Sequence, residues 1–229
     1  SFVHGSEVRI SDGSKTELLK EYSYPLGQTG YVFYFYSVDT TRAPATFVGK
    51  FNTKYSLQVV SEGKEYKAET TIPSITKRID TISSRIPRDQ EDSMDAIVMV
   101  KATDPPGFGD YVRYFTKRNR EGFLPPFSSV FDDLVIDGTT YELQVEPGID
   151  RNRESSDDGN FFKKGDTVTL KLCNIDKASY DFWRTMEYSY GSVGNPFATP
   201  VKVISNISNG ALGYFGGYGC QYHTIIIPR

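Results

Sequence analysis

The chain has 229 residues, 38% of them hydrophobic and 24% charged, with a formal net charge of −3: enough for one large or two small domains of ordinary globular composition. Its 26 Lys and Arg are scattered, which excludes a nucleic-acid partner, because phosphate binding needs a concentrated basic face. No apolar run is long enough to span a bilayer as a helix, and two cysteines without C-x-x-C spacing exclude a disulfide scaffold or a thiolate zinc site.

Aromatic residues reach 14%, and Tyr and Phe favour pleated, half-buried surfaces, so the composition leans toward β structure. In chain order, EVRISDG alternates Val8 and Ile10 against Glu7 and Arg9 and closes on the turn dipeptide Asp12-Gly13. YVFYFYS, 31–37, is a strand with large side chains on both faces, so neither face is expected to be fully solvated. KYSLQVVSEGKEYKAETTIP spells a hairpin: Tyr55, Leu57 and Val59 share a face, Glu62-Gly63-Lys64 turns, and Tyr66, Ala68 and Thr70 share a face on the return. Pro73 ends it, and SITKRID leads into a new region.

RIPRDQEDSMD, 85–95, is polar and acidic and reads as a loop. AIVMVKAT, YVRYFTKRN, GTTYELQVEPG and GDTVTLKLCNID follow as strands, the last two presenting Tyr141, Leu143, Val145 and Val168, Leu170, Leu172 on one face each. One helix is expected, 176–190, with Asp176 as N-cap and an aromatic stripe of Tyr180, Trp183 and Tyr190 turned to the core. VKVIS, the glycine-rich run and the strand YHTIIIP close the chain. The elements predict an all-β fold in two parts: 1–75, a small immunoglobulin- or transthyretin-like sandwich of five or six strands, and 76–229, a larger sandwich or barrel-like domain carrying the helix. Strands belonging before Ser1 are expected, and without them the first part has an open edge.

Residues that could carry chemistry are sparse. His4 and His223 have no metal-ligand spacing. GSVG, 191–194, follows a helix where a nucleophile elbow must follow a strand. DRNRESSDDGN, 150–160, places oxygen-bearing side chains at alternate positions, but Ser155 stands where a calcium loop needs Gly and Phe161 where it needs a bidentate Glu, so it reads as a solvated loop. Cys173 lies on the face opposite Val168, Leu170 and Leu172, and Cys220 begins the last strand. The default is two free thiols, with a Cys173–Cys220 disulfide as the alternative if their strands are neighbours. No catalytic, cofactor-binding or metal-binding set is identified, so a non-enzyme is expected. A glycosidase pair of carboxylates, which is assembled only in space, stays open.

NPFATPVKVISNISNGALGYFGGYG, 195–219, packs Gly210, Gly213, Gly216, Gly217 and Gly219 among aromatics. A phosphate cradle would lead into a helix N-terminus, whereas this run leads into a strand, where glycines mark bends or close backbone approach. The run therefore reads as architecture.

Together with YSLQVVSEGKEYKAETTIP, DPPGFGDYVRYF, FDDLVIDGTTYE and GDTVTLKLCNIDKASYDFW, this run resembles the DUF4249 family of Bacteroidetes over nearly the whole chain. The resemblance implies an exported protein, typically an outer-membrane lipoprotein, often encoded beside a TonB-dependent transporter. It carries over no catalytic residue. A signal and lipid-bearing cysteine are expected upstream of Ser1, so membrane attachment would be through a lipid anchor alone. In that setting the triplets Asp39-Thr40-Thr41, Asp80-Thr81-Ile82, Asp92-Ser93-Met94 and Asp166-Thr167-Val168 resemble O-glycosylation motifs, and Asn206-Ile207-Ser208 matches an N-glycosylation sequon.

The leading functional expectation is a non-enzymatic surface module that captures a nutrient, a glycan among the candidates, or docks on a TonB-dependent transporter. The alternatives are a structural or adhesion protein using sheet edges and a glycoside hydrolase. An exposed aromatic platform would favour the first, and two carboxylates in one cleft the last.

Overall fold

The computed structural model describes residues 4–27, 30–39, 41, 47–87, 94–151, 161–195, 197–199 and 201–229. The fold is all-β, with one helix among these residues. In the N-terminal part, β1 (Glu7–Ser11), β2 (Thr16–Leu18), β5 (Thr53–Ser61) and β6 (Lys64–Ile72) make an antiparallel sheet in the order β2-β1-β5-β6. The β5–β6 hairpin runs in unbroken register from Thr53↔Ile72 to Ser61↔Lys64. Its two turn residues, Glu62 and Gly63, both have positive φ (51° and 74°), the backbone twist that matches the twist of the flanking strands. Val8, Tyr55, Ala68 and Thr70 are buried on one face of this sheet. A separate hairpin, β3 (Lys20–Pro25) and β4 (Val32–Ser37), is tethered to it where the Ser6 N–H donates to the Tyr36 hydroxyl (2.9 Å) and His4 stacks on Tyr34 (4.8 Å).

The C-terminal part is a two-layer sandwich. One layer holds β11 (Thr140–Val145), β8 (Asp95–Thr103) and β12 (Phe162–Lys163), with β7 (Arg78–Arg85) also paired to β8. The other is β10 (Val130–Phe131), β9 (Tyr111–Arg118), β13 (Thr167–Ile175) and β14 (Tyr218–Ile226). Val98, Val112, Val145, Phe162, Val168 and Leu170 interdigitate between them as the core. No sheet closes into a barrel among the described residues. Strand β7 is not legible in SITKRIDTISS, because a register shift between Ile79 and Thr81 breaks the two-residue alternation that would announce it.

The outer face of the β10-β9-β13-β14 sheet is covered by α1 (Lys177–Gly191). This explains Cys173: it does lie opposite Val168 and Leu170, yet it is fully buried, because the helix covers the face it occupies. Cys173 and Cys220 stand directly opposite each other on β13 and β14 and form a disulfide. The helix is buried on two sides. Tyr180 faces the sheet, while Phe182 stacks on Tyr214 of the closing segment (4.6 Å). The expected stripe breaks at its end: Tyr190 is exposed, where it meets Arg151 (5.0 Å from the ring centre) instead of the core.

The closing segment turns back from the sandwich to the N-terminal sheet. Ile207 bridges Ala68, the Ser208 N–H donates to the Lys67 carbonyl (2.8 Å), and the Asn209 amide to that of Glu65 (2.6 Å). The glycines serve this docking. A Cβ on Gly217 would lie 2.7 Å from Ile72 Cγ1 and 3.0 Å from the Thr71 carbonyl oxygen, and one on Gly219 would collide with the Pro73 carbonyl oxygen. Neither position has positive φ, so close approach is the requirement there. Replacing Gly219 by Ala must push the Pro73 backbone away. Chemical denaturation should show a loss of about 1–3 kcal/mol, the usual cost of overpacking against a fixed neighbour; unchanged stability would refute this role for the run.

Candidate ligand-binding site

A cavity of about 430 Å³ opens into the sandwich on the side where β10 and β11 form the edges of the two layers. Its floor is core, Val112, Tyr114, Leu170 and Leu172, and its wall is the inward face of β11, where Tyr141, Leu143 and Val145 alternate as the pattern demands. The rim comes from the segment after β10, with Asp132, Val135 and Ile136, and from α1, with Tyr180 and Arg184. These two are one helical turn apart and so share a face.

The rim carries a small polar relay. The Tyr180 hydroxyl donates to Asp132 Oδ2 (2.7 Å) and accepts from Arg184 Nη1 (3.0 Å). Arg184 Nη1 also lies 3.9 Å from Asp132 Oδ2. Burial, then the hydrogen bond to Asp132 and that carboxylate's charge, push the Tyr180 hydroxyl up to about 12, so it stays protonated. Tyr141 is likewise pushed up to about 12, by burial and by the charges of Asp104 and Asp80. Its hydroxyl has no hydrogen-bond partner among the described residues, a donor left for something else.

The rim is held from below. Buried Arg113 stacks on Trp183 (3.4 Å from the ring centre) and donates to Ser129 Oγ (3.0 Å) and to the Tyr218 hydroxyl (3.3 Å). Ser129 in turn gives its N–H (2.9 Å) and its hydroxyl to the carboxylate of Glu187. Behind the rim, the loops DPPGFGD and FDDLVID interlock. Asp133 Oδ2 accepts the N–H groups of Gly109 (2.7 Å) and Asp110 (2.9 Å), and Asp137 accepts that of Gly107 (2.6 Å).

Oxygens of Asp104, Asp133 and Asp137 lie within 4.8 Å of one another, close enough to suggest a cation site. The ammonium of Lys77, wholly buried, is 3.1 Å from the equally buried Asp104, so a protein cation already sits among these carboxylates. Burial and the neighbouring carboxylates Asp110 and Asp133 raise Asp104 despite Lys77. Burial works the same way on Asp133, but its backbone N–H donors and Lys77 outweigh it and hold that carboxyl below the usual range.

Other sequence candidates go elsewhere. Within 150–160, positions 152–160 lie outside the described residues, as do Thr40 and residues 92–93 of two Asp-Thr/Ser triplets. In the other triplets, Asp80 accepts from Thr103 (2.8 Å) and Asp166 from Asn119 (2.7 Å). The sequon residue Asn206 spends its side-chain amide on the carbonyls of Glu69 (3.2 Å) and Phe215 (2.7 Å) and on the Phe215 N–H (2.9 Å). Among the described residues, Asp132 is the one carboxylate lining the cavity, whereas glycosidase chemistry calls for a facing pair. On the β3–β4 hairpin, the pairs Tyr22↔Phe35 and Tyr24↔Phe33 put four rings on one face, with Tyr24, Phe33 and Phe35 exposed at 63%, 42% and 41%.

A family model described as Domain of unknown function (DUF4249) matches residues 1–222. The chain belongs to the DUF4249 family. None of the curated proteins compared with it matches. In this DUF4249 chain FDDLVID supplies Asp132, Val135 and Ile136 to the rim, while Asp133 and Asp137 of the same motif and Asp104, which opens DPPGFGD, form the cluster behind it.

Replacing Lys77 by Met leaves those carboxylates buried without their counter-charge. Denaturation at neutral pH should report a loss of about 3–5 kcal/mol. Asp104 lies above its unfolded value, so its protonated form favours the folded state, and the penalty should shrink as pH falls from neutral to about 4. A pH-independent penalty would contradict the assignment.

Proposed function

We propose that this protein is a non-enzymatic capture module that takes a small, mainly apolar ligand into the sandwich cavity. The observation that carries the reading is the cavity itself: about 430 Å³, walled mainly by aliphatic and aromatic side chains, with its charged groups at the rim and Tyr141 and Gln144 as polar residues of the wall. Ligand sites in proteins have this combination, an apolar body for affinity and a few placed polar groups for orientation. The disulfide supports an exported location, since such bonds persist in oxidising compartments. An outer-membrane lipoprotein that presents its ligand to a TonB-dependent transporter is consistent with these features and with the family resemblance.

The exposed rings of Tyr24, Phe33 and Phe35 favour a second reading, a glycan platform on the β3–β4 hairpin, because sugar faces stack on aromatic rings. A glycan array separates the two: binding lost on Tyr24→Ala and Phe33→Ala substitution would favour the hairpin, and no glycan signal would remove it. The cavity reading is tested with the neutral dye phenylnaphthylamine, which should bind saturably with enhanced fluorescence. Leu143, 45% exposed on the cavity wall, accepts a larger ring without overpacking the core. Leu143→Trp should therefore weaken dye binding about tenfold, or about 1.4 kcal/mol, while the unfolding midpoint holds. Unsaturable binding, or an unaffected variant, would count against the cavity.

A further inference from the structure

Resting on the capture reading, we propose that the ligand is an amphiphilic carboxylate, its hydrocarbon body in the cavity and its carboxylate on Arg184. A guanidinium has five N–H donors in a planar fork that matches a carboxylate's two oxygens. Among the described residues, Arg184 spends one of them on a protein acceptor, the Tyr180 hydroxyl (3.0 Å), and at 3.9 Å from Asp132 Oδ2 it makes no hydrogen bond there. Its side chain is 65% exposed at the mouth of the cavity.

The opposite charge at the rim is committed. Asp132 Oδ2 holds the Tyr180 hydroxyl (2.7 Å), and Oδ1 accepts from the Leu134 N–H (3.4 Å); the side chain is 21% exposed. Of the two charges, the cation is therefore the one presented to solvent and to an incoming head group. Asp132, through Tyr180, fixes where that cation points. A cationic head group would meet Arg184 first and be repelled, and an alcohol would leave the fork largely unused. Below the rim the lining is mainly hydrocarbon and ring, with Tyr141 and Gln144 as its polar residues and no charged one: Val112, Leu143, Val145, Leu170 and Leu172 suit an alkyl chain.

The test is displacement of phenylnaphthylamine by decanoate, decanol and decyltrimethylammonium, from the unaltered protein and from the Arg184→Gln and Arg184→Lys variants. Decanoate should displace the dye at a concentration about tenfold below decanol, against the alcohol's greater intrinsic preference for apolar surroundings, and the cation should be weakest. In Arg184→Gln the decanoate advantage should disappear while decanol is unchanged, and Arg184→Lys should retain part of it. If decanol matches decanoate in the unaltered protein, or if the preference survives in Arg184→Gln, the head-group assignment is wrong while the cavity remains a ligand site. If neither the dye nor any of the three amphiphiles binds saturably, the capture reading falls and this assignment with it.

Discussion

The carboxylate of Asp176 is the point on which the three parts of the molecule meet. Its Oδ1 accepts the Ser179 N–H (2.8 Å) and so caps α1, whose positive N-terminal end favours a negative charge there. Its Oδ2 accepts the Thr70 hydroxyl (2.6 Å) and the Thr71 N–H (3.0 Å) at the end of β6. Thr70 Oγ1 then accepts the N–H of Gly217 (2.8 Å). One side chain thus fixes the start of the helix, the exit of the N-terminal sheet and the glycine-rich run. Side chains on the run would break this arrangement, since the backbones of Gly217 and Gly219 have to approach Thr71–Pro73 to bare-backbone distance.

The rim of the cavity follows from that placement. With the helix start fixed, Tyr180 comes just after the cap and Arg184 one turn later, both over the opening between β10 and β11. On the same face of the helix, Trp183 rests on Arg113 and Glu187 on Ser129, and Ser129 directly precedes β10. The rim is consequently braced by these contacts, while the cavity walls remain mainly apolar. Polar groups that are paired within the protein do not compete for a ligand. Those with unused capacity, the Arg184 fork and the Tyr141 hydroxyl, are the ones that can select it.

The buried charges behind the rim have a different role. Lys77, Asp104 and Asp133 knit DPPGFGD to FDDLVID around an internal cation, and Gly109 and Asp110 donate their backbone N–H groups to the same cluster. A buried ion pair adds little net stability compared with apolar packing, but it penalises every arrangement in which the partners separate. Here that selects one mutual position of the two loops, and the second of them carries Asp132 to the cavity mouth.

Much of this fold is legible in the residues. Val8 and Tyr55 to Thr70 alternate as an antiparallel hairpin should, Glu62-Gly63 marks its turn, and Asp176 followed by an amphipathic stretch marks the one helix, because these signals depend only on near neighbours in sequence. Strand β7 was hidden by its bulge, and the outward turn of Tyr190 by the helix running past the sheet. The candidate site was nearly invisible: Tyr141 and Leu143 read as ordinary strand residues, and Asp132, Tyr180 and Arg184 lie on a loop and a helix that sequence spacing does not relate. Cys173 shows the same division. Alternation placed it on the face away from Val168 and Leu170, but only the packing of α1 made that face an interior, and only the pairing of β13 with β14 put Cys220 opposite it. The sequence by itself determined the β class, the hairpins, the helix with its cap and the glycine run as architecture, all through local periodicity and backbone sterics. The tertiary structure alone decided the disulfide, the internal cation and the cavity with its arginine rim, since each depends on contacts between segments whose separation in sequence carries no periodic signal.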